Sequence, residues 1–291
     1  MTVLEAIQKS ADFLGKKNVE SPRLQIELLL AHLMKMPRMK LYLNFDRVLA
    51  PSETDALREL VKRRGQREPL QHIIGSTSFC GYEIAVSRHA LVPRPETELL
   101  AELGWEFLST LNPQPSTALD FGTGTGCIAI ALAARCPNAK ITALDISADA
   151  LALAGENANR NNVAERIEFL QGDGFGALPA GTQFDLIISN PPYIPSAEIE
   201  TLQPEVRDFD PHGALDGGTD GLDFYRMLAE QAKVFLKPDG KIMLEFGDGQ
   251  ARAIRTVFEN EKWIVEAVQE DYSQRERILV VKSSSSSSSS S

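Results

Sequence analysis

The chain of 291 residues is 43% hydrophobic and 24% charged, the balance of a soluble globular protein of about two domains. No apolar run approaches the roughly 20 residues that span a bilayer, so no membrane association is expected. Met1-Thr2-Val3-Leu4-Glu5 lacks the basic and then apolar layout of a secretory signal, and the expected location is cytoplasmic. Three cysteines (Cys80, Cys127, Cys136) lack metal-ligand spacing and read as buried reduced thiols, with no metal site. A net charge of −10 argues against a broad electrostatic grip on nucleic acid, yet residues 1–75 carry +4 and the remainder −14.

Residues 1–75 read as a helical bundle. Leu4, Ile7, Phe13 and Leu14 follow a helical period, Ser21-Pro22 resembles a cap with proline at the first helical position, and Leu24, Leu28 and Leu29 build a second apolar face. Ser52 is a further cap candidate, opening a helix that runs to about Gly65. Lys62, Arg63, Arg64 and Arg67 then form a cationic cluster. It reads either as a solvated helix end or as a platform that helps hold a large protein partner.

Between Ser76 and Pro93 the pattern shifts to a short β-hairpin linker, with Phe79, Tyr82, Ile84 and Val86 set among glycines. Residues 94–282 alternate strand-like runs with helical stretches. The runs are 117–121, 140–146, 166–171, 184–189, 241–246 and 277–281. Such alternation predicts a doubly wound, mostly parallel α/β sheet. The serine run 283–291 has low complexity and the composition of a tail.

Ala118-Leu119-Asp120-Phe121 leads into Gly122-Thr123-Gly124-Thr125-Gly126 and then the apolar stretch from Cys127. Strand, glycine-rich turn and helix make a ligand cradle, because a Cβ in the turn would block close approach. Asp145 lies about twenty residues on, at a strand end, where a carboxylate can accept both ribose hydroxyls of a nucleoside. Asp173 follows the next strand and could accept from an adenine amino group. Each acid alone could be a helix cap. Asp120, Asp145 and Asp173 together, at successive strand ends, point to a cofactor.

Asn190-Pro191-Pro192-Tyr193 follows the buried run 184–189. Pro191 drives Asn190 out of the α region, and two prolines stiffen the turn. The turn offers a side-chain amide and free carbonyls at the ligand-binding end of a parallel sheet. The oxygen of Asn190 and the carbonyl of Pro191 can each accept an N–H from a planar amide or amine. Tyr193 can stack on that group. These hydrogen bonds strengthen as positive charge grows on the nitrogen during transfer of an activated methyl. The plainer alternative is a proline-rich turn without chemistry.

With these segments, Leu91-Val92-Pro93-Arg94-Pro95-Glu96-Thr97-Glu98 and Gly217-Gly218-Thr219-Asp220-Gly221-Leu222-Asp223-Phe224-Tyr225-Arg226 complete a resemblance to the HemK/PrmC family of protein-(glutamine-N5) methyltransferases. It extends over nearly all of the chain except the serine run. It implies a Rossmann-like methyltransferase domain using S-adenosyl-L-methionine (SAM), joined by a hairpin to a helical N-terminal domain, which is expected to dock the protein substrate. The implied substrates are class I peptide chain release factors, methylated at the glutamine of Gly-Gly-Gln. The resemblance assigns Gly122, Thr123, Gly124, Thr125, Gly126 and Asp145 to methionine and ribose. It assigns Asp173, Gly174 and Phe175 to adenine, and the glutamine to Asn190, Pro191, Pro192 and Tyr193. Two positions depart from the family pattern. Gly174 replaces a bulky residue, which would pass stacking to Phe175, and Phe209-Asp210-Pro211 has Asp where Glu is usual. Residues 94–98 read either as a plain helix entry or as a segment over the cofactor mouth. The competing readings are an adenine amino-group methyltransferase acting on DNA or RNA, and a regulatory SAM-binding module without catalysis.

Overall fold

The structure, a computed structural model, describes residues 1–111 and 114–283. Apart from Ser283, the expected serine tail lies outside the described residues. The chain separates into two compact units: Met1–Ser76 with Leu202–Phe209, and Thr77–Thr201 with Asp210–Ser291. Among the described residues no helix is long and apolar enough to cross a membrane.

The first unit is helical: α1 (Val3–Gly15), α2 (Pro22–Leu33), α3 (Arg38–Leu41), α4 (Pro51–Gly65) and α5 (Leu70–Ile74). Thr2 caps α1 through a reciprocal pair in which its hydroxyl accepts from the Glu5 amide and Glu5 accepts from its own. Val3, Ile7 and Leu14 of that helix meet Ile26, Leu29 and Leu30 of α2 in a closed apolar core. The expected caps differ in detail. Ser21 occupies the cap position of α2 without a side-chain bond. α4 begins at Pro51, so Ser52 lies inside the helix, and Glu53 accepts from the Ala50 amide instead.

The cationic cluster is mostly spent inside this unit. Arg63 pairs with Glu68 through two hydrogen bonds of 2.8 and 2.6 Å. Arg64, only 4% exposed, donates to Glu205 at 2.6 Å, and Arg67 binds the same carboxylate at 2.7 and 2.5 Å. Glu205 sits on α9 (Pro204–Arg207), within the stretch 202–209. The sequence reading had placed that stretch in the second domain; it packs with the first unit because Arg64 and Arg67 hold it there. Lys62 remains the exposed cation of the four.

The second unit opens with the hairpin β1 (Ser76–Phe79) and β2 (Tyr82–Ala85), turned by Cys80 and Gly81, both at positive φ. Then come α6 (Pro95–Thr110), β3 (Ser116–Phe121), α7 (Cys127–Arg135), β4 (Ala139–Asp145), α8 (Ala148–Arg160), β5 (Ile167–Gln171) and β6 (Phe184–Ser189). After the excursion through α9 follow α10 (Asp223–Gln231), β7 (Leu236–Glu245), α11 (Ala251–Asn260), β8 (Trp263–Glu270) and β9 (Glu276–Ser283).

Among the described residues seven strands form one sheet, ordered β5-β4-β3-β6-β7-β9-β8. β5 to β7 run parallel, while β9 is antiparallel to both β7 and β8. The expected doubly wound, mostly parallel sheet is present. One strand went unpredicted: β8 is an edge strand whose exposed Glu266, Gln269 and Glu270 mask its apolar pattern. Ala118, Leu186, Ile188 and Met243 face a cluster with Leu100 of α6 and Leu132 of α7. Leu119, Ile187, Ile242 and Leu244 face the opposite cluster with Leu228 of α10 and Ile254 of α11. The sheet is therefore buried on both faces, as a parallel sheet requires. Its order reverses between β3 and β6, which opens a crevice at their carboxyl ends.

Replacing Glu205 by Ala leaves the Arg64 guanidinium buried without its counter-charge. Denaturant unfolding of E205A should show the first unit less stable by about 3–5 kcal/mol. A loss below about 1 kcal/mol would mean that the arginines are held by other contacts.

Candidate active site

A cavity of about 290 Å³ lies at the carboxyl ends of β3, β4 and β6. Its floor is the glycine-rich turn, lined by Gly122 to Thr125. The Gly122 and Thr123 amides both donate to the Leu144 carbonyl, at 2.8 and 3.0 Å, which fastens the turn to β4. Gly126 has φ +80, and a Cβ there would lie 2.9 Å from that of Ala154, so α8 can approach only a glycine. Asn157 of α8, fully buried, donates to the Thr125 and Ala85 carbonyls at 3.0 Å and accepts from the Ala85 amide at 2.8 Å. The hairpin thereby helps to shape the floor.

Asp120 and Asp145 take different parts. Asp120 is 1% exposed and stands outside the cavity lining. One of its oxygens accepts from the Thr123 hydroxyl at 2.6 Å and the Ala129 amide at 3.0 Å. Burial pushes its carboxyl up to about 7. It shapes the turn from behind. Asp145 lines the cavity and accepts from the Gly124 amide at 2.8 Å and the Ser147 amide at 2.9 Å. Each of its oxygens retains a lone pair for a ligand hydroxyl.

Of the residues that the resemblance assigns to the cofactor, Gly122, Thr123, Gly124, Thr125, Asp173 and Gly174 line the cavity, whereas Gly126 and Phe175 do not. The Phe175 ring is 3% exposed and stacks on Phe235 at 4.8 Å, with Phe121 at 5.0 Å. A large apolar ring beside a strand end gains more from the core beneath the sheet than from a half-wet cavity wall. Ile146, 65% exposed, and Met227 supply apolar wall instead.

Asn190 and Pro192 line the opposite wall, while Pro191 between them is buried and outside the lining. Asn190 Nδ2 donates to Thr97 Oγ1 at 3.1 Å, which leaves Oδ1 as an acceptor. Among the described residues no group donates to the Pro191 carbonyl. The Tyr193 ring is not part of the lining. It packs past Gly247, whose missing side chain makes the room, and burial pushes its hydroxyl up to about 12. The Tyr193 carbonyl accepts from Gln250 Nε2 at 2.8 Å, and Gln250 Oε1 accepts from the Gly247 amide at 2.9 Å.

The Gly217–Arg226 segment buttresses the turn from behind. The Gly217 amide donates to the Ile194 carbonyl at 2.9 Å, and the Ile194 amide to the Leu215 carbonyl at 3.0 Å. Gly221, at φ +76, passes so close that a Cβ would lie 2.3 Å from the Tyr193 carbonyl oxygen.

Residues 94–98 are both a helix entry and part of the cavity wall. Pro95 opens α6, Arg94 pairs with buried Asp210 at 2.7 Å, and Glu98 accepts from the Cys80 amide at 2.9 Å. Thr97 lines the cavity. Behind Thr97 and Asn190 lies Glu245, the last residue of β7, 3% exposed. Burial raises its carboxyl to about 7, against hydrogen bonds from Thr97 and Asn190 that pull it down. Sequence reasoning missed Thr97 and Glu245 as site residues. The available signal was that Glu245, like Asn190, ends a buried apolar run.

A doubly wound sheet with a glycine cradle at its switch point and a rigid Asn-Pro-Pro-Tyr turn facing it defines a Rossmann-like methyltransferase. Residues 5–75 match the family described as PrmC N-terminal domain, and residues 104–203 the Methyltransferase small domain. The chain is 45% identical over 258 residues to the release factor glutamine methyltransferase of Geobacter sulfurreducens, covering 88% of each. It is 41% identical over 282 residues to that of Chlorobaculum tepidum, covering 95% of each. The chain belongs to the release factor glutamine methyltransferase family. A solved methyltransferase from Pyrococcus furiosus shares the fold, with a TM-score of 0.50 and 22% identity over 70% of this chain and 90% of that one.

Gly221→Ala tests the buttress. The new methyl must push the Tyr193 carbonyl aside, and alanine at positive φ costs roughly 1–2 kcal/mol besides. Turnover should fall about a hundredfold while SAM binding changes little, because Gly221 does not itself line the cavity. Unaltered turnover in a folded G221A protein would show that the turn needs no support there.

Proposed function

We propose that this enzyme transfers a methyl group from SAM to the side-chain amide nitrogen of the glutamine in the Gly-Gly-Gln motif of class I peptide chain release factors. The observation that carries the reading is the orientation of Asn190. Its Nδ2 is engaged by Thr97, so Oδ1 and the Pro191 carbonyl are the two acceptors left for a substrate –NH₂ group.

The cavity suits SAM. Its volume is of the order of small-ligand sites, its floor is a glycine turn, and Asp145 and Asp173 stand where hydroxyl and amino groups need acceptors. Gly122 to Gly126 would take the methionine end, Asp145 the ribose, and Asp173 with Gly174 the adenine. Asp120 acts through the turn. When bound, SAM supplies a methyl group already activated by its sulfonium, so no metal is required.

The chain's own part is to prepare a poor nucleophile. An amide nitrogen shares its lone pair with the carbonyl, and attack begins to place positive charge on it. Asn190 Oδ1 and the Pro191 carbonyl each accept one N–H, and both bonds strengthen as that charge grows. Pro191 and Pro192 keep these acceptors from having to reorganise during the reaction. Tyr193, clamped by Gln250 and Gly221, fixes where the turn ends; in this geometry it holds the turn rather than stacking on substrate.

Residues 1–75 serve as the docking domain for the folded substrate, residues 76–93 as linker and residues 94–282 as the catalytic domain. With Arg63, Arg64 and Arg67 internally paired, a charge-based platform there loses most of its cations. Exposed Met39, Leu43 and Val48 offer apolar contact instead. We expect no direct nucleic-acid binding, given the net charge of −10, and a cytoplasmic site of action beside the translation machinery.

Methyl transfer from labelled SAM to a release factor, to a variant lacking the Gly-Gly-Gln glutamine and to adenine-containing DNA tests the reading. Label should appear in the first alone. Labelled DNA would favour the adenine alternative, and no transfer to any would favour a regulatory module. Within the same assay Asn190→Ala should lower turnover by about 10²–10³ with SAM still bound. Asp145→Ala should weaken SAM binding by roughly 1.5–3 kcal/mol in calorimetry. An unchanged affinity would move the ribose contact elsewhere.

A further inference from the structure

Asn190 can do its work only if its oxygen, not its –NH₂, faces the substrate. An amide is nearly symmetric in shape, so packing alone does not choose between the two orientations. Hydrogen-bond polarity must choose. Thr97 Oγ1 accepts from Asn190 Nδ2 at 3.1 Å, and Thr97 is itself 3% exposed. A hydroxyl can both donate and accept, so by itself it could equally donate to Asn190 Oδ1 and hold the amide the wrong way round. What stands behind it settles the direction. Glu245 is 3% exposed and within hydrogen-bonding reach of both Thr97 and Asn190, and an ionised carboxylate can only accept. Its Oε2 is buried with no partner among the described residues, so this carboxyl is not consumed by an ion pair elsewhere.

We propose that Thr97 and Glu245 are positioning residues that polarise a hydrogen-bond chain, Asn190 –NH₂ to Thr97 hydroxyl to Glu245 carboxylate, and so lock the catalytic amide with its oxygen toward the substrate. The proposal rests on the functional reading above and deepens it. Thr97 reaches Asn190 because Pro95 starts α6 two residues earlier and sets Thr97 in the first turn, facing the end of β6. Glu245 reaches both because β7 lies beside β6 in register, with Ser189 opposite Leu244.

The lock has a pH consequence. Protonated Glu245 becomes a donor and can turn the Thr97 hydroxyl toward Asn190 Oδ1. The amide is then free to reverse, and kcat should fall as pH drops through the region near 7 where burial has placed this carboxyl. The charged and titratable groups around Glu245 are Glu96, Arg277, Tyr193 and Tyr225. The two phenols lie far above this range, to about 12 for Tyr193 and well above 10 for Tyr225.

The test uses the full chain with a release factor substrate and four readouts. Thr97→Val, close to isosteric, should lower kcat about ten- to a hundredfold while KM for the release factor and calorimetric SAM affinity stay within about twofold. Thr97→Ser, which keeps the hydroxyl, should restore most of the loss. Glu245→Gln, which cannot titrate and carries a donor as the protonated acid does, should abolish the acid limb of the kcat profile and hold kcat near its low-pH level. The Asn190 side-chain ¹H–¹⁵N signals should be protected from exchange in the wild type and unprotected in T97V. Equal kcat in T97V and wild type, failure of T97S to recover, or an acid limb persisting in E245Q would overturn the proposal. A parallel loss of SAM affinity in T97V would also overturn it, since Thr97 would then merely wall the cavity. Should the wild type not methylate the release factor, the functional reading falls. The exchange measurement then judges the lock on its own: loss of protection in T97V supports it and unchanged protection refutes it.

Discussion

Two consecutive prolines at the end of a buried parallel strand create a turn that cannot hold itself in place. Neither Pro191 nor Pro192 has an N–H to give, so the turn makes no ladder bond of its own. The carbonyls it leaves free are what the chemistry uses, which means that its support must come from elsewhere. The surroundings meet that need from several directions. Gln250 reaches the Tyr193 carbonyl, the Gly217–Gly221 backbone lies against Pro192 and Tyr193, and Thr97 takes the –NH₂ of Asn190. Each support leaves Asn190 Oδ1 and the Pro191 carbonyl without a hydrogen-bond donor among the described residues.

The same economy governs the cofactor side. The glycine turn is fastened by backbone bonds to Leu144 and by Asp120 from beneath, so Asp145 and Asp173 remain at the surface of the cavity. Both walls meet at the β3–β6 reversal, where two loops diverge and leave a crevice. A sulfonium donor lying on one wall then faces an amide held on the other. Because strands buried on both faces fix the two walls, their separation depends on the core rather than on loop conformation.

Features governed by local backbone physics were legible in the sequence. Proline restrictions announced the Asn190–Tyr193 turn, glycine spacing announced the cradle, and alternation of strand and helix announced the parallel sheet. Features decided by tertiary competition were not. Phe175 sits where a stacking residue is wanted, but the core with Phe235 and Phe121 takes it. Arg64 and Arg67 looked free because their partner Glu205 lies about 140 residues away in the chain. β8 was hidden by its polar, solvent-facing side. Thr97 stood inside a recognised segment without a role, because its partner Asn190 is 93 residues distant.

The central claim is that two oxygen acceptors, Asn190 Oδ1 and the Pro191 carbonyl, hold the substrate amide nitrogen for attack. A crystal structure of the enzyme with S-adenosylhomocysteine and a release factor carrying unmodified Gly-Gly-Gln tests it directly. The account predicts the glutamine nitrogen within about 3 Å of both oxygens, with its lone pair aimed at the sulfur. A glutamine bound through its carbonyl oxygen to Asn190 Nδ2, or a nitrogen distant from the Pro191 carbonyl, would contradict it.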